Sequence, residues 1–428
     1  MTSIGVVGAG VGGLHLSLLL QKRGIPVRLY ADRTPEEMRA SPRLANTAGH
    51  WPNTRSRERE LGIAHWDDAI RPIRELNVTV TGDLSARFTA PLELGPMAVD
   101  YRITMPRILE DFIERGGDVA YGTITAEQLE ELSERHDLVV VSSGRGTMTE
   151  LFPKIEERSP YQRPQRVLQV SVVDGVVGNA EALNYELVPG VGEVVLFPFH
   201  AADGENHTTL YMSAVADGPL PALLNADVAG SDGREALDRV FRTIVQEHFP
   251  ASSALFDWDA FATVGPEYDI AGALTPTVRR PYAQLGNGRW VLALGDVHTV
   301  CDPLLGQGAN SASASAFIVG DAVVEDHLAF DELWCRRVAD RMWQRSGAAV
   351  VFTNELLRVP PAPAVVTLLA AGSVSQDVAD YVASFFDVPN TAWNALASPE
   401  RAEAAVQEVG GEQVLQGVRQ ALAGMAAA

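Results

Sequence analysis

The chain is poor in cysteine and in basic residues for its length. Only Cys301 and Cys335 occur among 428 residues, so no disulfide framework is expected and a reducing compartment is favoured, which predicts a cytoplasmic protein. The chain carries 34 Lys and Arg against 55 Asp and Glu, a net charge of −21, and no basic cluster stands out. Binding to nucleic acid or to an anionic membrane surface is therefore not expected.

Long apolar runs and metal-binding patterns are missing as well. No uncharged apolar stretch is long enough to span a bilayer. The apolar first twenty residues lack a basic segment and are interrupted by five glycines, which is unlike a signal peptide. No cluster of Ser, His and Asp and no metal-ligand spacing is convincing, so no metal is expected. With 46% hydrophobic residues, the chain can build two or three packed units.

A glycine-rich turn follows the first apolar strand and precedes a leucine-rich helix. In such a turn Gly8 permits the tight bend, Gly10 lets the backbone approach a pyrophosphate, and Gly13 lets the helix pack on the strand. The next strand ends at Asp32 and Arg33, where an acid can bind the adenosine ribose. A turn without a ligand is the alternative, but the placement between strand and helix favours a dinucleotide site.

A second half-site lies nearly three hundred residues later. Asp296 ends an apolar run at residues 290–294 that is typical of a buried parallel strand, and an acid there can bind the hydroxyls of a polyol. A glycine-rich turn then leads into a helix, whose N-terminus offers free N–H groups to a ring that becomes anionic. The turn residues predicted to bind the cofactor are Pro303, Gly306, Gly308 and Asn310.

The order of the predicted elements indicates a discontinuous α/β architecture. Strands alternate with helices around the two half-sites, β-rich runs with Gly, Asp and Asn turns lie between them, and the end of the chain is helical; residues 34–77 are predicted to be irregular. The predicted units are a Rossmann-type FAD-binding domain at 1–70, 99–160 and 270–328, an inserted, mostly antiparallel substrate-binding β-sheet at 71–98 and 161–269, and a C-terminal helical region at 329–428.

These motifs resemble the FAD-dependent monooxygenases of the glutathione-reductase-like fold. The resemblance is closer to one branch, the two-component styrene and indole monooxygenases (group E flavoprotein monooxygenases), whose oxygenase component has no reductase of its own. It extends over nearly the whole chain, through segments at 8–16, 30–33, 43–50, 99–117, 137–144, 163–166, 295–310 and 398–401.

Two departures from single-component relatives are informative. Those relatives usually end the mid-chain strand in Asp-Gly, a motif associated with binding both FAD and NAD(P)H, whereas this chain has Ser143 and Gly144. Relatives also often carry Glu where Ala31 stands, so Asp32 is a less direct candidate for the ribose. The resemblance thus implies that FAD arrives already reduced, as FADH2, from a separate NADH-dependent flavin reductase. It leaves the oligomeric state open, a homodimer being one alternative.

The resemblance also implies the reaction. Reduced FAD and O2 give a C4a-hydroperoxide whose distal oxygen attacks an electron-rich double bond, so the protein supplies orientation and a dry pocket for a small apolar aromatic substrate. Residues of the inserted sheet, with Phe197, Pro198, Phe199 and Tyr211 as candidates, are expected to line that pocket. A vinyl-arene such as styrene is the favoured substrate.

The polar segment at residues 43–50 supplies the candidate catalytic residues. By resemblance it passes beside the flavin, with Arg43 on the cofactor and with Asn46, Thr47 and His50 at the reaction centre. From the residues alone, a polar loop in which Asn46 and Thr47 cap a turn is the simpler interpretation, and His50 can equally pack or bond to the backbone. The resemblance is what favours the catalytic roles.

Other functions stay open at this stage. Asparagine at position 46 is closer to the styrene-type pattern than to the indole-type pattern, where serine tends to stand, but an indole-type epoxidase or a pathway-specific aromatic alkene oxidase is an alternative. Flavin-dependent halogenases share the fold, although their paired-tryptophan signature is absent and Trp258 stands alone. A non-catalytic binding protein on the FAD fold is a more remote alternative, because such proteins lose FAD contacts that this chain keeps.

Overall fold

A computed structural model of the chain describes residues 2–70, 72–220, 233–326 and 329–427. The strands are β1 Ile4–Val7, β2 Val27–Ala31, β3 Glu75–Val80, β4 Ala86–Pro91, β5 Asp118–Tyr121, β6 Leu138–Val141, β7 Arg166–Asp174, β8 Ala182–Val188, β9 Gly192–His200, β10 Asn206–Val215, β11 Ala262–Thr263, β12 Ile270–Ala273, β13 Thr277–Val278, β14 Tyr282–Gln284, β15 Trp290–Ala293 and β16 Thr299–Val300. The helices are α1 Val11–Lys22, α2 Pro35–Arg39, α3 Pro52–Leu61, α4 Tyr101–Glu114, α5 Ala126–Arg135, α6 Gly233–His248, α7 Pro250–Ser253, α8 Gln307–Glu325, α9 Glu332–Leu356, α10 Pro363–Gly372, α11 Gln376–Ser384, α12 Pro389–Ala395, α13 Pro399–Gly410 and α14 Glu412–Ala427.

The first sheet has six strands in the order β14-β15-β6-β1-β2-β5. All neighbours pair in parallel except β14 with β15. The register places Val7 at the end of β1 opposite Tyr30 and Val141, and Ala293 opposite Val141 as well. Consequently the carboxyl ends of β1, β2, β6 and β15 meet at one edge, which is where ligands bind in sheets of this kind.

Helices cover both faces of this sheet, which is why its central strands are apolar throughout. On one face α1, α4, α8 and α9 enclose a core that includes Leu14, Leu18, Leu109, Phe112 and Trp334. Each such leucine is almost fully buried, a contribution of about 1.5–3 kcal/mol apiece. The opposite face packs against α5 and a short 3₁₀ helix, Thr147–Leu151, through a second core.

The second sheet has eight strands and is antiparallel except where β3 pairs with β8. Its order is β11-β7-β10-β9-β8-β3-β4, with β12 also paired to β7. Alternation along the strands gives each face its own core. One face packs against α6. The other carries Val170, Tyr185, Val195 and Tyr211 toward the first domain and the C-terminal helices.

Helix α9 joins the two cores. Its first half, with Trp334 and Met342, packs on the six-stranded sheet, and Phe352 near its end packs with the C-terminal helices and the eight-stranded sheet. Its 25 residues span roughly 37 Å. Within the described ranges, no helix is long and apolar enough to cross a membrane.

The predicted α/β class and the predicted strands of the inserted sheet are confirmed, whereas the prediction that residues 34–77 are irregular is wrong. This segment contains α2, opened by a capping box of Thr34 and Glu37, and α3, with Pro52 in its first turn and Gly62 at φ +68 after its last residue. The domain ranges stay a prediction. Their ends at 71 and 328 lie outside the described residues, and β12 pairs with the inserted sheet.

A buried ion pair inside the eight-stranded sheet gives a test of this architecture. The guanidinium of Arg166 donates to Glu193 at 2.8 Å and to the carbonyl of Leu357 at 3.0 Å, and both charged side chains are 2% exposed or less. Removing one partner leaves an uncompensated buried charge, so Arg166→Met should lower the free energy of unfolding by about 3–5 kcal/mol in denaturant titrations.

The neighbouring pair Arg163–Asp217 is the matched control, because both of its side chains are more than 60% exposed. Arg163→Met should leave unfolding nearly unchanged. Equal effects of the two substitutions would contradict the assignment of Arg166 to a buried, structural ion pair.

Candidate active site

A cavity of about 820 Å³ lies between the carboxyl edge of the six-stranded sheet and one face of the eight-stranded sheet. Five stretches that are far apart in sequence supply much of its lining: the β1–α1 turn, residues 41–49, residues 142–145, residues 270–274 and residues 295–309. The cavity is polar and glycine-rich at the end formed by the first sheet and apolar at the end formed by the second.

The three fingerprint glycines are constrained in different ways. A Cβ on Gly8, whose φ is +110, would lie 2.3 Å from the carbonyl oxygen of Ser142, and one on Gly13 would lie 1.9 Å from the carbonyl oxygen of Gly8. The fold itself therefore requires both glycines. A Cβ on Gly10 would meet nothing within 4 Å, and Gly10 lines the cavity. The space above Gly10 is thus free for a ligand.

The start of α1 is open toward this space. Its N-cap is Gly10, no side chain caps it, and its first turn holds no acid, so backbone N–H groups and the positive end of the helix dipole are available to an anion. Asp32 and Arg33 line the same end, with 3.5 Å between Arg33 Nε and Asp32 Oδ2. Both side chains are exposed and free to contact a nucleotide.

Asp296 lines the same cavity, in a single 3₁₀ turn shortly after β15. Arg145 Nε is 3.7 Å from its Oδ2, and a Cβ on Gly308 would lie 4.0 Å from its Oδ1. Burial raises the pKa of the Asp296 carboxyl, and the charge of Arg145 partly offsets this rise. The acid therefore lies beside the first turn of α8, where a polyol between the two half-sites would pass.

The loop before α8 presents the second open helix terminus. Pro303, Gly306 and Gly308 line the cavity, and Gly306 is the N-cap at φ +60 with no side-chain cap. Asn310 does not line it. Instead its Oδ1 accepts from the backbone N–H of Trp51 at 3.0 Å, and its Nδ2 donates to the carbonyls of Gly49 and Gly306 at 3.0 and 2.8 Å. Asn310 thus fastens the 43–50 segment to the start of α8.

Arg43, Asn46, Thr47 and Ala48 of that segment line the cavity, as the resemblance implies. Asn46 also closes a turn, because its Oδ1 accepts from the N–H of Ala48 at 2.7 Å. One conformation of Asn46 is therefore compatible with both interpretations, a residue that caps a turn and a residue that faces the reaction centre. Its amide nitrogen has no hydrogen-bond partner within the described ranges, and this leaves it available to a ligand.

His50 lies one side chain behind the cavity wall. Its Nδ1 is 2.5 Å from Oε1 of Glu58 and its Nε2 is 2.8 Å from the hydroxyl of Tyr101. It lines a separate crevice of about 30 Å³, and Tyr101 lines both that crevice and the large cavity. Sequence reasoning missed Glu58 because α3 was predicted to be irregular. The Pro52 and Gly62 signals of that helix could have indicated it.

Two residues that follow Asp296 closely in sequence, His298 and Cys301, are unreactive by their surroundings. His298 is fully buried away from the cavity, and burial lowers its pKa to about 3. Cys301 lines the cavity, but burial and the charges of Asp296 and Asp302 raise the pKa of its thiol to about 12. The thiol therefore stays protonated and is a poor nucleophile.

Asp302, directly before Pro303, was not predicted as a functional residue. It is fully buried, its Oδ1 accepts from the N–H of Leu304 at 3.1 Å, and its Oδ2 has no partner among the described residues. Burial raises the pKa of its carboxyl to about 7, with Glu193 adding to the rise and Arg166 opposing it. A buried acid that keeps its proton below about pH 7 thus lies directly before the loop that opens α8.

The other end of the cavity is apolar. Of the predicted pocket residues, Phe197 and Tyr211 line it, whereas Phe199 is buried in a separate core with Tyr268. The hydroxyls of the lining residues Tyr185 and Tyr211 are buried, so these residues offer mainly their rings. The remaining apolar lining at this end is Trp51, Ile73, Leu168, Val170, Leu183, Val195, Ile270, Leu304, Leu305 and Phe386.

The arrangement fits a flavin adenine dinucleotide. Two uncapped helix N-termini face one cavity, Gly10 leaves room for a pyrophosphate, and Asp296 lines the same cavity beside the start of α8. A Rossmann-type sheet with this site and an inserted β-sheet is the architecture of flavin-dependent monooxygenases, which flavin-dependent halogenases share.

Comparisons with known proteins agree. Residues 144–254 match the family described as styrene monooxygenase A putative substrate binding domain. Styrene monooxygenase StyA from Pseudomonas fluorescens is 33% identical over 402 residues, covering 93% of this chain and 96% of that protein, and StyA from a Pseudomonas species matches equally. The chain therefore belongs to the styrene monooxygenase family, as an FAD-dependent monooxygenase.

Solved structures show the same fold at lower identity. The flavin-dependent brominase Bmp2 superposes with a TM-score of 0.67 at 15% identity, covering 95% of this chain and 99% of the brominase. A flavoprotein/dehydrogenase from Cytophaga hutchinsonii gives 0.68 at 13% identity, covering 96% and 99%. These likenesses concern the fold alone.

The position of Asp296 predicts its effect on FAD. Asp296→Ala should weaken the binding of oxidised FAD roughly ten- to a hundredfold, because a hydrogen bond to a charged group contributes about 1.5–3 kcal/mol. Fluorescence titration measures the affinity. Asp118→Ala, which removes an exposed acid from β5 outside the cavity, is the control and should bind FAD normally. Unchanged affinity in Asp296→Ala would show that the carboxylate does not hold the cofactor.

Asp302 predicts a pH dependence of stability. Its carboxyl pKa is raised from 3.8 to about 7, so between these values the folded chain holds a proton that the unfolded chain has released. The stabilisation is complete below the unfolded pKa and is lost as pH rises through about 7. The Asp302→Asn side chain does not titrate and so does not lose this stabilisation. The free energy of unfolding of the variant, relative to that of the wild type, should therefore increase as pH rises. Denaturant titrations at several pH values measure this difference, and a difference that does not change with pH would exclude the effect. Asp340→Asn, at an exposed position, is the control.

Proposed function

We propose that the chain is the oxygenase component of a two-component system that epoxidises a vinyl-arene such as styrene. It uses FADH2 from a separate NADH-dependent flavin reductase, together with O2. The observation that carries the proposal is the single cavity that joins the glycine-rich cofactor end to an apolar chamber. Identity to the two StyA proteins over nearly the full length supports the same reaction type.

Named residues of this chain would hold the cofactor. The N–H groups at the start of α1, above Gly10, suit the pyrophosphate, Asp296 suits the ribityl hydroxyls, and the uncapped start of α8 after Gly306 suits the anionic ring. Arg33 and Arg43 border the same cavity. When bound, reduced FAD supplies the electrons that make one atom of O2 transferable to an alkene and reduce the other to water.

The chain's own contribution to oxygen transfer is positioning and exclusion of water. The free amide nitrogen of Asn46 can donate a hydrogen bond at the cofactor end without releasing a proton. Thr47 lies beside it in the wall. The rings of Phe197 and Tyr211 with Leu305 form an apolar chamber that suits an arene and keeps water from the reacting oxygen.

The lining of the chamber favours a hydrocarbon arene. Its side chains are aliphatic and aromatic, and the hydroxyls of Tyr185 and Tyr211 among them are buried, so the surface offered to a substrate is mainly hydrocarbon. Styrene therefore fits this end better than indole does. Ser143 and Gly144, where single-component relatives carry Asp-Gly, support delivery of electrons by a separate reductase.

The proposal predicts the outcome of two assays with the purified protein. NADH alone should not be oxidised, with or without styrene. Chemically reduced FAD with O2 and styrene should yield styrene oxide, and indole should react more slowly. Gas chromatography identifies the product, and free reduced FAD without protein is the control. Brisk, styrene-stimulated NADH oxidation would contradict the two-component arrangement, and the absence of epoxide would contradict the reaction.

A further inference from the structure

Three side chains form a continuous hydrogen-bonded series from the large cavity to a neighbouring crevice. Tyr101, at the start of α4, lies in the walls of both. Its hydroxyl is 2.8 Å from Nε2 of His50, whose Nδ1 is 2.5 Å from Oε1 of Glu58 on α3. His50 and Glu58 are buried, at 7% and 9% exposure. We refer to these residues as the Tyr101–His50–Glu58 triad.

We propose that this triad stores and donates the proton that the reaction consumes. The inference rests on the proposed function. In it, the Glu58 carboxylate holds His50 as an imidazolium, and Tyr101 passes the proton from His50 into the cofactor end of the cavity. Tyr101 is then the catalytic member because it borders the cofactor space, and His50 and Glu58 are positioning residues behind it.

The stoichiometry of the reaction requires such a donor. If the reduced flavin is bound as its anion FADH−, then vinyl-arene, O2, FADH− and one proton give epoxide, FAD and one water, so each turnover takes up one proton. Uncoupled oxidation has the same demand, because FADH−, O2 and one proton give FAD and H2O2. A chamber that excludes water cannot take this proton freely from solvent, so a protein group must supply it.

The transfer balances within the triad. The O–H bond of Tyr101 breaks as its proton leaves to an acceptor in the cavity, and the Nε2–H bond of the His50 imidazolium breaks as that proton moves to the Tyr101 oxygen. His50 is left neutral, with its remaining proton on Nδ1 toward Glu58. The crevice beside the triad, at about 30 Å³, has room for about one water, through which the ring regains its proton.

The surroundings suit this charge distribution. His50 lowers the pKa of Glu58 despite the burial that raises it, which keeps the carboxylate charged. Burial, together with the charges of Glu58 and Asp296, raises the pKa of Tyr101, so the phenol is held protonated and gives up its proton only as His50 replaces it.

Three other ionisable side chains, His15, Arg55 and Arg57, lie near the triad. His15 on α1 has its pKa lowered to about 4 by burial and is neutral, with Nε2 4.0 Å from Glu58. Arg55 in the crevice wall is paired with Asp67 at 2.8 Å. Arg57, whose pKa is lowered mainly by burial, is a further charged group near the triad. Glu58 is therefore the acid in direct contact with His50.

The first test uses the ligand-free protein. Nitrogen-15 NMR of labelled histidine at pH 7 should show both ring nitrogens of His50 protonated in wild type and in Tyr101→Phe, but only one in Glu58→Gln. A neutral His50 in wild type would overturn the proposal. This readout does not depend on flavin or on epoxidation, so it separates failure of the triad from failure of the proposed function.

The second test follows the absorbance of oxidised FAD after chemically reduced FAD, bound to the protein, is mixed with O2 and styrene. In wild type the rate should vary little between about pH 6 and 8. Tyr101→Phe and Glu58→Gln should be slower by about 10²-fold at the upper pH, the usual contribution of a positioned acid, and Glu58→Gln should recover as pH falls. The double variant should be no slower than Tyr101→Phe, because both changes interrupt one route.

The control is His65→Gln, which breaks another histidine–carboxylate pair, with Asp111 at 2.5 Å, outside both cavities. It should match wild type. Thermal unfolding of each variant checks that the fold is kept. Wild-type rates and pH profiles in Tyr101→Phe and Glu58→Gln would overturn the triad's role. Because uncoupled oxidation also consumes a proton, this readout applies whether or not epoxide forms.

Discussion

The parallel register of the central strands is the constraint on which the site depends. Pairing of β1 with β6 and of β6 with β15 brings the ends of three strands, nearly three hundred residues apart, to one edge. Each strand then delivers its own element there: an uncapped helix start after Gly10, the turn at Ser143, and Asp296. Asn310 extends this order by binding the backbone at Gly49 and Trp51, so the 43–50 segment is held against the same edge.

Electrostatics at the site run opposite to those of the whole chain. The net charge of −21 disfavours an anionic dinucleotide at a distance, yet the cavity is lined by four arginines and two aspartates as well as two helix N-termini. The positive helix ends are fixed by the backbone and lose no side-chain entropy on binding. The acidic residues over the remaining surface favour solubility, while the helix N-termini and arginines of the cavity favour binding of the phosphates and the anionic ring.

Sequence reasoning was most successful where local chemistry determines structure. The glycines after β1 and the turn after Asp296 were predictable because each has a steric or dipolar reason visible within a few residues. The contacts of His50 were not predictable, because its partners belong to α3, a charge-rich helix with little apolar periodicity, and to α4, fifty-one positions away. Asn310 was predicted to bind cofactor, but its contacts to Gly49 and Trp51 span some 260 positions and arise only from folding.

The two sides of the cavity divide the needs of the proposed reaction. Oxygen transfer to an arene needs dryness, which the face of the eight-stranded sheet supplies through Val170, Val195 and Phe197. Closing the catalytic cycle needs a proton, and a chamber that excludes water cannot supply it. Tyr101 resolves the conflict because its ring completes the wall and its hydroxyl bonds to His50 behind that wall. A proton can then enter at the cofactor end without water entering at the substrate end.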